Sequence, residues 1–348
     1  MIWQNYKGRL IILGILVVAL AVVALLLSHR LTNTPKAIAG TSFNLAFTIY
    51  DLRTPLGVTA DSNDNVYVAD TGNSMIKVYD KNGNFQYRLD SVHDDKGNRT
   101  ISFPSPYGLA IDNSTGKLYV CDYSVYVLDK SGKYLDELTI PAGVVKPDPN
   151  DKSRMRPNQV AILNDRVYVT SRDGIYIWDK NTDQFVTHWG TRGTGLGQYD
   201  YPNGIAADPT TGNIYVADTN NWRLVCLGED GKIRWTLGRQ QKGNIPSPWH
   251  LLRSVTVDKN GNVFISDSPD RIVVLDKNGK LISIIGERGT EETKLNFPEG
   301  VFVSAMDRLY IADRENDRVQ AWQLNSQLPR PSSADVDKFA KALSPATQ

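Results

Sequence analysis

The chain has 348 residues, of which 41% are hydrophobic, and a formal net charge of +1, so it can bury a large core in one or two domains. Setting aside Lys7, Arg9 and Arg30 leaves 36 basic against 38 acidic side chains. That balance excludes the clearly basic surface by which nucleic-acid binders are recognised, and no nucleic-acid partner is expected.

The first predicted element is "LIILGILVVALAVVALLL", Leu10 to Leu27, which carries no charge and no proline. As a helix it reaches about 27 Å, close to the thickness of a bilayer's hydrocarbon. Lys7 and Arg9 precede it and favour a cytoplasmic N-terminus. A cleaved signal peptide competes, but "AIAG" (37–40) lies well beyond the apolar run, whereas a cleavage site follows closely. The expectation is a single-pass, uncleaved membrane anchor, with the rest of the chain extracytoplasmic.

From residue 43 onward the chain is a repeat. Copies open at Pro55, Pro106, Pro157, Pro202, Arg253 and Pro298, with a period of about 45–51 residues, the range of β-propeller blades. The first copy reads as four strands, "GVTAD", "NVYVAD", "MIKVYD" and "FQYRLD", separated by Asn, Asp and Gly clusters. Alternating Val, Ile and Tyr bounded by such turns is the strand signature. The copy at Pro298 stops after its third strand, "RVQAWQL", while "FNLAFTIYD" (43–51) stands alone before Pro55. The N-terminal strand is therefore expected to complete the last blade and close the ring. Cys121 and Cys226 fall in different blades and read as two buried, unpaired thiols.

The stretch "GTRGTGLGQYDYPNGIAADPTTGNIYVADTNNWRL" (190–224) resembles a repeat of the NHL family. It has a glycine-rich lead, then P-x-G-[IV]-A-x-D, then Y-V-A-D, a polar turn and Arg. The resemblance runs over residues 43–324, is strong in the copies at Pro55, Pro202 and Pro298, and is weaker where Ser171 replaces the strand-end Asp and Arg253-Ser254 replaces part of P-x-G. It implies a six-bladed β-propeller, so the expected fold is all-β with four-stranded antiparallel blades, preceded by the one transmembrane helix read from the apolar run. The expected organisation is residues 1–30 as cytoplasmic stub and anchor, 31–42 as linker, 43–324 as propeller and 325–348 as a flexible tail. The glycines of 190–197 lack the Gly-Lys-Ser/Thr ending of a phosphate loop and read as a structural connector.

Strand alternation puts the third-to-fourth strand hairpins on one face and the long connectors (91–105, 139–155 and 238–252) on the other. Long loops on a rigid scaffold are where binding concentrates. The candidate binding face therefore holds Tyr107, Asn158, Asn203 and Glu299 after the blade-opening prolines, with Trp249, His250 and Arg253 in the fifth blade. Tyr123, Trp222 and Arg314 follow the second strands. The strand-end carboxylates Asp70, Asp122, Asp218, Asp267 and Asp313 recur, as do Arg223, Arg271 and Arg318. A feature repeated in every copy serves the fold, so site-specific function is expected where the copies differ.

Two enzyme classes are weighed against a binding module. The copy "YIADRENDRVQAW" (310–322) is similar to a blade of the peptide-amidating lyases, which hold zinc with histidines after blade-opening prolines; here no His follows one. Gluconolactonase-like propellers coordinate Ca²⁺ or Mg²⁺, and Glu299, Asn158 and Asn203 offer oxygen ligands for such an ion. No catalytic residue is assigned. The reading favoured is a protein-binding scaffold or recognition module, without cofactor, with a metal-dependent lactonase-like or lyase-like enzyme as the alternative.

Overall fold

A computed structural model describes residues 36–37, 43–93, 100–141, 143–144, 156–239, 247–324 and 328–345. The expected membrane anchor, Leu10–Leu27, lies outside them; among the described residues no helix is long and apolar enough to cross a membrane.

Residues 43–324 form six four-stranded antiparallel sheets around one axis. Blade 1 runs through Gly57–Ala60, Val66–Asp70, Met75–Tyr79 and Phe85–Leu89. Blades 2 to 5 repeat this plan, with first strands opening at Leu109, Val160, Pro202 and Leu252. Blade 6 takes Pro298–Val303, Arg308–Asp313 and Arg318–Gln323, and its fourth strand is Asn44–Ile49. The register is Leu45 to Trp322, Thr48 to Gln320 and Ile49 to Val319, so the expected closure by the N-terminal strand is what the structure has. Phe43 stacks on Trp322 with centroids 4.7 Å apart. Asp64 of blade 1 accepts from Arg308 at 3.1 Å and Tyr310 at 2.9 Å in blade 6, tying the two ends of the ring together.

A sheet that is apolar on both faces must be covered on both. The core is accordingly divided into slabs between neighbouring blades. Val120 and Leu128 meet Ile76 and Val78 between blades 1 and 2, and Tyr119 and Val127 meet Val169 and Trp178 between blades 2 and 3. Inner strands are buried on both sides, as in Val66–Asp70, whereas the outermost strand Phe85–Leu89 is largely exposed. Cys121 and Cys226 are buried, free thiols. Burial raises both, Cys226 to about 12, so neither is a thiolate near neutral pH.

The tail differs from the flexible segment that its composition suggests. Ser333–Ala342 is an α-helix capped by Ser332, whose Oγ accepts from the Asp335 N–H at 3.1 Å. Leu343–Pro345 then adds a fifth strand to blade 4, pairing with Trp235–Leu237. Val336, Phe339, Ala342 and Leu343 pack into the slab between blades 4 and 5. The Pro, Ser and Ala average hid this i, i+3 apolar stripe, which is the signal that matters for docking.

Candidate functional site

The repeated polar residues are consumed by the fold. Asp218 accepts from the Asp200 N–H at 2.9 Å, Asn221 at 2.8 Å and Arg223 Nε at 2.8 Å. The Arg223 guanidinium goes on to the carbonyls of Thr194, Gly195 and Gln198. The glycine-rich stretch is thus a connector stapled by the blade's own arginine, as its sequence suggests. Blade 6 repeats this with Asp313, Arg318 and the carbonyls of Thr290, Glu291 and Lys294. In blade 1 Lys77, 3.0 Å from Asp70, stands in for the arginine. In blade 3 Ser171 Oγ accepts the Arg156 N–H at 3.3 Å in place of Asp. Burial pushes Asp218, Asp267 and Asp313 above the ordinary aspartate range, against the pull of their arginines and amide donors.

A second recurrent link was not singled out in the sequence. The residue after the strand-end Asp donates to a carbonyl of the next blade: Thr71 to Pro106 at 2.6 Å, Thr219 to Leu252 at 2.9 Å and Ser268 to Pro298 at 2.7 Å. Tyr123, Arg172 and Arg314 occupy that position in blades 2, 3 and 6. The hydroxyl at this offset in three copies, and its loss in the others, was the available signal.

Leu252 pairs with Asp267 as Pro202 does with Asp218, so Leu252 and not Arg253 is the fifth blade's equivalent of the opening prolines. The residues that follow these positions form one ring at the mouth of the central channel: Leu56, Tyr107, Asn158, Asn203, Arg253 and Glu299. The glycine that follows allows it. A β-carbon on Gly57 would lie 1.9 Å from the Tyr107 carbonyl oxygen, and one on Gly300 would lie 2.6 Å from that of Leu56, so glycine is needed at these positions, whereas blades 3 and 5 carry Gln159 and Ser254 there. Asn158 Nδ2 donates to Pro202 O at 2.9 Å, extending the ring from blade 3 to blade 4.

Glu299 is the centre of this ring and is 2% exposed. Its Oε1 accepts from the Tyr107 hydroxyl at 2.6 Å across the mouth. Arg253 Nε lies 3.5 Å from Oε1, and Arg314 Nη1 lies 3.5 Å from Oε2. Burial and the adjacent Glu299 carboxylate push the Tyr107 phenol well up, so it stays a donor. Arg314 also pairs with Glu315 at 2.9 Å and lies over the Phe297 ring. Below the ring, the channel holds a cavity of about 180 Å³ lined by apolar side chains with Thr59, Gln159 and Thr256.

The other expected residues sit apart from this cluster. Tyr123 (69% exposed) and Trp222 (37%) stand on second-to-third strand turns of the same face. His250 is exposed, with Nδ1 3.7 Å from Asp270, and its N–H caps Asp267. Trp249 is a correction. It is 3% exposed, its Nε1 donates to Leu237 O at 2.8 Å, and Phe339 packs edge-on against it at 5.2 Å. The C-terminal helix covers it, so it is packing and not a contact surface.

The donor set does not fit a divalent ion. Glu299 is the ring's one carboxylate and already lies between two guanidiniums, whose charge repels a cation. Ring histidines for zinc are lacking, and among the described residues no three His, Cys, Asp or Glu side chains cluster as a metal site.

Fold and site together define a six-bladed β-propeller, two of whose blades carry sequence that matches the NHL repeat. The NHL repeat family model matches residues 52–79 and 199–227, within blades 1 and 4. The chain is 26% identical over 136 residues to NHL repeat-containing protein 3 of Mus musculus, covering 35% of this chain and 39% of that one. It is 24% identical over 230 residues to the probable peptidyl-alpha-hydroxyglycine alpha-amidating lyase pgal-1 of Caenorhabditis elegans, covering 62% and 59%. In each case the match spans less than two thirds of the curated relative. Among solved structures, virginiamycin B lyase of Staphylococcus aureus superposes with a TM-score of 0.54 at 14% identity, over 82% of this chain and all of that one; this likeness concerns the fold alone.

Proposed function

We propose that the chain is a membrane-anchored recognition module whose propeller stands outside the cytoplasm and docks a protein partner on its long-loop face. One observation carries this reading: on that face the copies diverge, and two of the divergent side chains, Tyr123 and Trp222, are left exposed by the fold. Tyr123 breaks the inter-blade hydroxyl link and stands exposed, and Trp222, two blades on, is half-exposed on the same face. Exposed Tyr and Trp with nearby Arg is the composition of interaction hot spots. Anchoring rests on the apolar run 10–27 and the basic residues before it. The closing strand starts at the hairpin face, where Lys36–Ala37 pairs with Asn44–Leu45, so the few residues between that pair and the apolar run would keep that face toward the membrane and the long loops away from it.

The likeness to an amidating lyase favours a second reading, a propeller enzyme acting through a metal. The guanidiniums flanking Glu299 weigh against it, and the binding reading is preferred. The test is site-directed photo-crosslinking in intact cells. A crosslinker at Tyr123 or Trp222 should trap a discrete protein, and one at Phe85 or Met306, on the opposite face or rim, should not. Equal crosslinking from both sets, or none from the long-loop set, would refute the assignment of the face.

A further inference from the structure

Among the described residues, one guanidinium at the channel mouth, Arg253, has an unmade hydrogen bond. The buried carboxylate of Glu299 faces two guanidiniums, and these two are not equivalent. Arg314 is satisfied on its outer side by Glu315, at 3.0 Å from Nε and 2.9 Å from Nη2. Among the described residues Arg253 has no second carboxylate. Its Nε is buried without a hydrogen-bond acceptor, 3.5 Å from Glu299 Oε1, and its side chain remains 23% exposed toward the mouth. Glu299 Oε2 likewise accepts no hydrogen bond. Tyr107 stays a neutral donor, and with Glu315 counted the two guanidiniums balance the two carboxylates; what Arg253 keeps is an unmade hydrogen bond at the channel mouth.

The geometry points to Arg253 as the anchor of a carboxylate-binding site at the centre of the long-loop face. A guanidinium presents a planar fork that matches a carboxylate through two parallel hydrogen bonds. The neighbouring ring position holds Asn203, whose carboxamide adds N–H donors, and Asn158 follows in the next blade. A monoanion fills the fork while adding a single negative charge near Glu299. A dianion would set a second negative charge against buried Glu299, so phosphate is disfavoured. The six equivalent ring positions carry Leu, Tyr, Asn, Asn, Arg and Glu, so Arg253 stands between Asn203 and Glu299. The carboxylate has two available sources, a free small acid or an acidic side chain of a docked protein. Only the second rests on the recognition role proposed above.

The test is titration calorimetry on the full chain in detergent, with acetate, the blocked peptide acetyl-Gly-Asp-Gly-amide and its neutral counterpart acetyl-Gly-Asn-Gly-amide. Saturable binding of acetate and of the Asp peptide, but not of the Asn peptide, is expected. Arg253→Lys keeps the charge and loses the fork, and should weaken binding by about tenfold. Asn203→Asp sets a like charge beside the fork and should abolish binding while leaving Arg253 in place. Each variant's thermal midpoint is checked first, and Asn203→Asp keeps the test open if the Arg253 variant does not fold. Equal affinity for acetate and the Asp peptide assigns the site to a free acid; tighter peptide binding assigns it to a partner's side chain. No saturable binding of either ligand, or unchanged binding in both variants, overturns the site, and neither result bears on the crosslinking that tests the face.

Discussion

At the scale of single residues, the division between repeated and divergent side chains separates stability from recognition. Arg223 and Asp218 are both almost fully buried. Arg223→Ala would leave a buried carboxylate without its ion and should cost about 3–5 kcal/mol, read as a lower urea midpoint of the full chain in detergent. Tyr123→Ala, on a surface turn, should change stability by less than about 0.5 kcal/mol in the same measurement. The hairpin aspartates behave differently from the strand-end ones. For Asp112, burial acts to raise the carboxyl, but hydrogen bonds from Thr115 and Ser114 and the nearby Lys180 hold it below the ordinary aspartate range. A lowered folded value means that its contribution is complete above the unfolded value and is lost as pH falls through the folded one. Asp112→Asn should therefore lower the urea midpoint at neutral pH, and the gap from the unsubstituted chain should close toward about pH 3 and below. A gap independent of pH would contradict this.

Secondary elements were legible to different degrees, for physical reasons. The strands of every blade could be placed because each is a short alternating run bounded by Asn, Asp or Gly turns, repeated six times with small changes. The closing strand was legible because one orphan strand matched one missing strand. The C-terminal helix was not. Its apolar stripe of Val336, Phe339 and Ala342 is short, and an average over Pro, Ser and Ala dilutes it. The same miss placed Trp249 on the surface, since nothing local to "PSPWHLL" shows that residues ninety positions on will cover it. Phe339→Ala should loosen the docked helix by about 3–5 kcal/mol. Acrylamide should then quench Trp249 more strongly than in the unsubstituted chain, while the far-ultraviolet strand signal persists. Unchanged quenching would mean that the helix does not hold the indole.

For the whole molecule, the ring explains both the stability and the placement of the site. Each blade buries its faces only against its neighbours, and Asn44–Ile49 removes the open edge beside Arg318–Gln323. A chain lacking residues 1–51 would expose that edge and the Phe43 face of Trp322, and should aggregate on size-exclusion chromatography. The ring of Leu56, Tyr107, Asn158, Asn203, Arg253 and Glu299 was legible as a set of equivalent positions. The chemistry at its centre was not, because Tyr107 and Glu299 are far apart in sequence and meet only when the ring closes. That closure puts guanidiniums where a metal-dependent enzyme would need a cation, and the reading as a recognition module depends on it most. The most direct check is the metal content of the full chain, purified in detergent and exchanged into chelator-free buffer. The expected result is no stoichiometric divalent ion, with or without Glu299→Gln. One equivalent of Zn²⁺, Ca²⁺ or Mg²⁺ that disappears in Glu299→Gln would contradict the account and make the propeller a metal-dependent enzyme.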